Sequence, residues 1–346
     1  MMFNGVEVDM LSVGNADAML VTRWVDGVAT RILIDGGDAC DAENVIAFLI
    51  RRGATHLNHV VCSHPHDDHA AGLVDVVKSR SLQIDAGWMH FPWYHVDLRE
   101  LGVTLQRSEA KASKVVRIIR ASVETARHLL NAFTARGLTP QEPFDPGKID
   151  FLTIAGPTKQ YYEELLKEFT DYEVLQEMEA SLRTHEEERR LEDILGQTTF
   201  GSRLIEATAD ELGAKPTEPE NNSSTILGAK YGEDILLFTA DAGVPALGRA
   251  TTNYVLRNLR WMQIPHHGSQ RNITKALIEH FAPKIAYVSA SGEKKHPRRK
   301  VVNAFKEVGT RVYSTHYPTG TNMWFHLGSV PPRPDYHPLT ALYDAE

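Results

Sequence analysis

The chain reads as a mixed α/β (α+β) protein. Apolar residues alternate with polar ones in the first three strand-like runs, and beyond Ile34 short apolar runs alternate with helical patterns on both sides of a polar middle region. A third observation places chemistry on this frame, because several of the runs end on aspartate or histidine.

In chain order, Val6, Val8 and Met10 share one face, and residues 18–21 and 31–34 continue a meander through Gly-Asn and Asp-Gly turns. Asp35-Gly36-Gly37-Asp38 closes the third run, and Val45, Ile46, Leu49 and Ile50 fall at helical spacing over 42–52. Leu57, Val60, Val61 and Cys62 form the next strand. It ends in His64-Pro65-His66-Asp67-Asp68-His69, followed by a helical stretch over 70–77 and a strand over 84–91. His90 and His95 flank the aromatic residues 91–94 and read as packed or solvent-facing groups.

The middle of the chain carries two long helical patterns, 108–136 and from 159 towards 195, separated by a strand and turn in 147–158. The charge run 185–190 suits an arm facing solvent or a partner. Residues 97–146 and 160–215 are therefore expected to be helical insertions within a single domain spanning 1–346. They could form a lid, a substrate wall, or a surface for a protein partner or a homodimer. Beyond 220 the alternation resumes. Strands over 225–229 and 235–239 lead to Ala240-Asp241-Ala242-Gly243, and a run over 261–265 leads to His266-His267-Gly268-Ser269. A helix over 274–281, a strand over 284–289, a helix over 301–308 and a final strand over 311–314 follow.

The chain has 346 residues, 42% hydrophobic and 24% charged, which is ordinary for a globular protein and argues against disorder. Its two cysteines exclude a disulfide framework and fit a reducing compartment. With no basic start followed by an apolar core and no apolar stretch of membrane-spanning length, a cytoplasmic protein without a membrane partner is expected. A net charge of −8 disfavours broad adhesion to nucleic acid, although Lys294, Lys295, His296, Arg298, Arg299 and Lys300 form a basic cluster able to hold a phosphodiester.

The hexapeptide carries most of the functional information. His64, His66, Asp68 and His69 offer three imidazoles and a carboxylate, a donor set suited to divalent Zn, Mn or Fe. Their spacing cannot place all four on one helix face, so a loop must present them. His-x-His-x-Asp-His resembles the signature of the metallo-β-lactamase-fold hydrolases, which implies a four-layer αββα sandwich binding two divalent metal ions. Val13-Gly14-Asn15-Ala16-Asp17-Ala18, Asn221-Asn222-Ser223-Ser224, Ala240-Asp241, His266-His267-Gly268-Ser269 and His296-Pro297 resemble, in order and spacing, the metallo-β-lactamase-like domain of ComEC-type DNA-internalisation competence proteins. Asn15 and Ala16 depart from that pattern, and a role in DNA transport is not expected to carry over.

The resemblance implies one Zn²⁺ or Mn²⁺ ion on His64 and His66 and a second on Asp68, His69 and one of the His266-His267 pair, with Asp241 bridging. His266 is favoured as the ligand and His267 as a substrate contact or general acid. Asn222 stands where many relatives have a third histidine for the first metal, a harder donor favouring Mn²⁺ or Mg²⁺. Asp35 is expected to support the histidines from behind. A metal-activated hydroxide oriented by Asp68 or Asp241 would be the nucleophile. His296 is a candidate for leaving-group protonation, and Ser223, Ser269, Lys294, Lys295 and Arg298 are candidates for substrate binding. The expected function is a soluble metal-dependent phosphodiesterase or nuclease acting on a phosphodiester, nucleotide or nucleic acid. The alternatives are a hydrolase of small phosphoesters and a metal-stabilised interaction module in a multi-protein system.

Overall fold

A computed structural model describes residues 2–95, 112–169, 212–292, 296–317, 320–334, 336 and 339–342. Thirteen strands among them form two mixed sheets: β1 Asn4–Met10, β2 Met19–Val25, β3 Val28–Ile34, β4 His56–Val61, β5 Gln83–Trp88, β6 Gly147–Ile149, β7 Leu152–Gly156, β8 Ile226–Tyr231, β9 Asp234–Phe238, β10 Trp261–Gln263, β11 Ile285–Val288, β12 Arg311–Ser314 and β13 Met323–Ser329. The first sheet runs β13-β1-β2-β3-β4-β5 and the second β12-β11-β10-β9-β8-β7-β6. One inner core lies between them. Val6, Val8 and Met10 of β1, Val21, and Ile32 and Ile34 of β3 face Leu227, Leu236, Phe238 and Trp261 of the second sheet.

The opposite strand faces bury Leu20, Leu33, Leu57 and Val60 on one side and Leu237, Met262 and Ala286 on the other. They pack under Val45 and Leu49 of the helix Ala42–Arg51, Leu73 and Val76 of Asp67–Lys78, and Leu247 of Val244–Asn253. Period-2 strands with both faces covered by apolar helix stripes give the four layers of an αββα sandwich, as expected from the sequence. Two helices cross between parallel strands of the first sheet: Ala42–Arg51 links β3 to β4, and Asp67–Lys78 links β4 to β5. This topology puts the β3 and β4 C-termini, with Asp35 and His64, at the same end of the sheet.

Several boundaries differ from expectation. The strand over 84–91 ends at Trp88, because Pro92 opens a 3₁₀ turn over Pro92–Tyr94 that takes the chain out of the sheet. Residues 147–158 make two antiparallel strands instead of one, turning at Asp150 with φ 52°. Within the described part of the second long helical pattern the helix spans Lys159–Leu166, and 170–211 lie outside the described residues. The strand at 311–314 is not the last, since β13 follows and pairs antiparallel with β1. The helix Ala112–Ala135 packs on Asp67–Lys78, burying Leu129 and Phe133, and Arg136 donates to the carbonyl of Val77 in the last turn of that helix and to those of Ser79 and Leu82 beyond it. It is thus part of the outer layer. No helix among the described residues is long and apolar enough to cross a membrane.

Candidate metal centre

The chain leaves β4 at Val61 and turns through Ser63–His66 into the helix Asp67–Lys78, so the hexapeptide spans a loop and a first helical turn. His64 Nε2 and His66 Nδ1 come to 3.2 Å from each other. Asp68 Oδ2 lies 3.8 Å from His69 Nε2 and 3.4 Å from His267 Nε2, although His267 is 199 positions further along the chain. Asp241, delivered just after β9, places Oδ1 at 3.3 Å from His69 Nε2 and 3.9 Å from His267 Nε2, with Oδ2 at 3.6 Å from His266 Nδ1. Donors from both halves of the chain therefore converge on one spot.

Backbone strain marks the same spot. Asp35, Ala240, His266 and His267 all have φ between 44° and 59°, a region costing non-glycine residues roughly 1–3 kcal/mol each. The surroundings hold the strain in place. The His266 N–H donates to the Ala240 carbonyl, the Ser269 N–H to the His266 carbonyl and the Arg298 N–H to the Gly268 carbonyl.

Hydrogen bonds behind the imidazoles select which nitrogen faces the centre. Asp35 is fully buried and accepts from the Ser63 N–H at 2.7 Å, the Ser63 hydroxyl at 2.7 Å and His69 Nδ1 at 2.9 Å. Since the Ser63 proton goes to Asp35, its oxygen accepts from His64 Nδ1 at 3.1 Å, which leaves the His64 Nε2 lone pair towards the centre. His267 Nδ1 donates to the Ser289 carbonyl at 3.1 Å, turning Nε2 inward.

These donors fit divalent cations. His69 Nε2, Asp241 Oδ1 and Asn222 Oδ1 are all buried without a hydrogen-bond partner, a costly arrangement for polar atoms unless a cation completes it. The electrostatics agree. Burial opposes charge on His69, yet Asp241, Asp68 and Asp35 together hold its pKa well above the usual imidazole value. His267 is carried against burial to about 9 by Asp241 and Asp68. Asp241 and Asp68 are held below the ordinary carboxylate range by the same histidines, in spite of burial. Burial lowers His64 and His266.

Loading a metal on Nε2 of His69 and His267 must therefore displace protons at neutral pH. Both pKa values are raised, so affinity is expected to fall as pH drops and to grow as it rises, with a net number of protons released on binding. Calorimetry in buffers of different ionisation enthalpy reads this number directly, and zero proton release would contradict these ligand assignments.

The other expected site residues are placed as follows. Asn222 is 6% exposed, its Oδ1 close over Gly243, where a Cβ would sit 2.5 Å from that oxygen. The Ser223 hydroxyl donates to the Glu220 carbonyl, and Ser269 Oγ accepts from the Arg271 N–H, so both serines are engaged locally. His296 has its ring centroid 5.8 Å from that of His266 and 6.3 Å from that of His267. Arg298 is exposed and precedes the helix Arg299–Glu307, whereas Lys294 and Lys295 lie outside the described residues. His90 is buried against Tyr162 and faces the Thr225 hydroxyl, with its pKa lowered to about 3 by burial. His95 lies between Glu142 and Glu163.

Sequence reasoning passed over three carboxylates near the centre, Asp17, Glu218 and Glu220. Asp17 was within reach, since it stands in the Val13–Ala18 motif. It is 1% exposed, and burial raises its pKa to about 6. Glu218 Oε2, 4.0 Å from His66 Nε2, carries no comparable signal because it lies in an irregular stretch.

A family model described as "Metallo-beta-lactamase superfamily" matches residues 12–293. No curated protein matches the chain. Among solved structures, a diphosphatase from the PhnP family is similar at 10% identity and a TM-score of 0.43, over 94% of this chain and all of that one. The metallo-beta-lactamase fold protein YhfI from Bacillus subtilis is similar at 10% identity and a TM-score of 0.43, over 93% of this chain and all of the other. AidC, a dizinc quorum-quenching lactonase, is similar at 11% identity and a TM-score of 0.34, over 86% of this chain and 71% of its own. With the family model spanning both halves that supply the donors, the chain belongs to the metallo-beta-lactamase superfamily.

Proposed function

We propose that this chain is a metal-dependent phosphodiesterase with a dinuclear centre. The reading rests on one observation above all: two adjoining donor sets, His64 with His66 and Asp68 with His69, Asp241 and His267, meet across the two halves of the chain. Bound divalent cations would bring a water's pKa towards ~7 and withdraw charge from a phosphoryl oxygen.

The residues divide the remaining work. His267 takes the ligand role and His266 the outward one, the reverse of the order favoured from sequence, because His267 Nε2 faces Asp68 and Asp241 while His266 remains 26% exposed. Asn221 Nδ2 donates to His266 Nδ1 at 3.2 Å, which keeps the ring neutral with its proton on Nε2, from where it can donate a hydrogen bond to a substrate oxygen. Asp68 and Asp241 orient the attacking water, and Asn222 gives the first position a hard donor suited to Mn²⁺. Phosphodiesters are favoured because Arg298, Arg299 and Lys300 gather at the N-terminus of the helix Arg299–Glu307, directly behind the His266–Gly268 turn. The motif resemblance to ComEC-type domains points the same way.

A second reading, small phosphoesters or nucleotides, draws on Glu218 and Glu220, whose carboxylates stand beside His66 and would repel a long polyanion. The test is cleavage of bis-p-nitrophenyl phosphate, single-stranded DNA and cyclic dinucleotides with Mn²⁺, Zn²⁺ or a chelator, alongside Asp68→Ala. Diester cleavage lost in chelator and in Asp68→Ala is the expected result. Cleavage of dinucleotides but not DNA selects the second reading, and turnover untouched by chelator removes both.

A further inference from the structure

Asp17, His69, Asp241 and His267 are buried and offer donor atoms that all lie within 4.8 Å of one another, and Asp17 meets the two imidazoles at Nδ1, whereas Asp241 meets them at Nε2. Asp17 Oδ2 is 3.9 Å from His69 Nδ1 and its Oδ1 4.0 Å from His267 Nδ1. Neither nitrogen needs it as a hydrogen-bond acceptor, because His69 Nδ1 already faces Asp35 and His267 Nδ1 the Ser289 carbonyl. The Asp17 carboxylate accepts a side-chain hydrogen bond from Gln263 Nε2, at 2.8 Å. Its backbone is fixed from both halves of the chain: the Asp17 N–H donates to the Asp68 carbonyl, the Gly37 N–H to the Asp17 carbonyl, and the Ser289 hydroxyl to the Ala16 carbonyl. The molecule thus spends several interactions on holding a buried charge where it touches no ligand directly.

The charge inventory explains why. Buried Asp17, Asp35 and Asp241 gather beside Asp68, whose side chain is 30% exposed, and the leading counter-charges acting on Asp17, Asp68 and Asp241 are histidines. Histidines that ligate metal are neutral, so two divalent cations balance the four carboxylates.

We propose that Asp17 is a positioning residue shared by His69 and His267, a fixed buried charge that tightens the second metal position without contacting the metal. This assignment rests on the dinuclear reading above. The effect expected is that of an outer partner of a metal ligand, about 10–100-fold in metal affinity.

Asp17→Asn tests it, because the amide keeps the shape and its oxygen still accepts from Gln263. Full-length wild type and variant are stripped with chelator, then titrated with Mn²⁺ and Zn²⁺ by calorimetry, with metal content measured after dialysis. The variant is expected to bind one equivalent as wild type does and the other about 10–100-fold more weakly. Its chelated form should unfold at no lower temperature than chelated wild type, because one of four like charges has been removed, while the metal-loaded form should unfold at a lower one. A purely structural role would lower both temperatures and overturns the proposal, as does unchanged affinity at both positions. If wild type itself takes up no second equivalent, the dinuclear reading falls and this assignment with it.

Discussion

Replacing Asp241 by alanine is expected to abolish metal-dependent hydrolysis and to remove at least one equivalent of bound metal. Asp241 faces three imidazoles at once: His69 and His267 through Oδ1 and His266 through Oδ2. Loss of an outer partner typically costs about 10–100-fold in metal affinity or activity, and loss of a carboxylate that would itself hold the metal is expected to cost more than that. A neighbouring carboxylate supplies the control. Asp67 belongs to the same hexapeptide but turns outward to accept from the Thr125 hydroxyl at 2.6 Å, so Asp67→Ala should retain metal and turnover. The measurement is metal content by elemental analysis together with diester hydrolysis. Two equivalents of metal retained in Asp241→Ala would dismantle the proposed centre.

The contrast between Asp67 and Asp68 also marks how far sequence could reach. The hexapeptide announced a metal loop because three imidazoles and a carboxylate seldom crowd behind an apolar run by chance, and the strand before it and the helix after it were visible in their periods. Asp241 was legible for the same reason, at the end of β9. The division of labour between His266 and His267 was not. It depends on two consecutive residues with positive φ, a backbone geometry that non-glycine residues adopt only when their surroundings impose it, and on the Ser289 carbonyl, which leaves no mark in side-chain chemistry. Asp17 was visible as part of a motif, but its place beside two histidines follows from how the loop before β2 meets β10, since Gln263 at the end of β10 holds it. The missed strand β13 had a readable signal in Met323, Phe325 and Leu327, which alternate inward against β1.

A single methyl group placed behind this loop should be as damaging as the loss of a buried side chain. Gly72 lies inside the helix Asp67–Lys78, where alanine in place of glycine ordinarily gains roughly 0.5–1 kcal/mol. Here the sign is expected to reverse. A Cβ on Gly72 would overlap the Gly36 carbonyl oxygen, and one on Gly36 would come within 2.6 Å of the Leu73 nitrogen. The two glycines let the helix touch the loop after β3, where the Gly36 N–H donates to the His69 carbonyl and the Gly72 N–H to the Gly37 carbonyl. Backbone atoms cannot rotate away as side chains do, so relief requires the helix and the Asp35 loop to part. Overpacking of this kind costs about 1–3 kcal/mol and at times more. Gly248 is the matched control, because it sits in the helix Val244–Asn253 with nothing within 4 Å of its would-be Cβ. Urea denaturation of chelated protein should find Gly248→Ala more stable than wild type and Gly72→Ala less stable. Separating the loop from the helix would also draw Asp35 away from Ser63 and His69, so Gly72→Ala should lose metal affinity although no ligand has been changed. Equal stabilisation by the two substitutions would show that the helix does not need this close approach to hold the ligand loop in place.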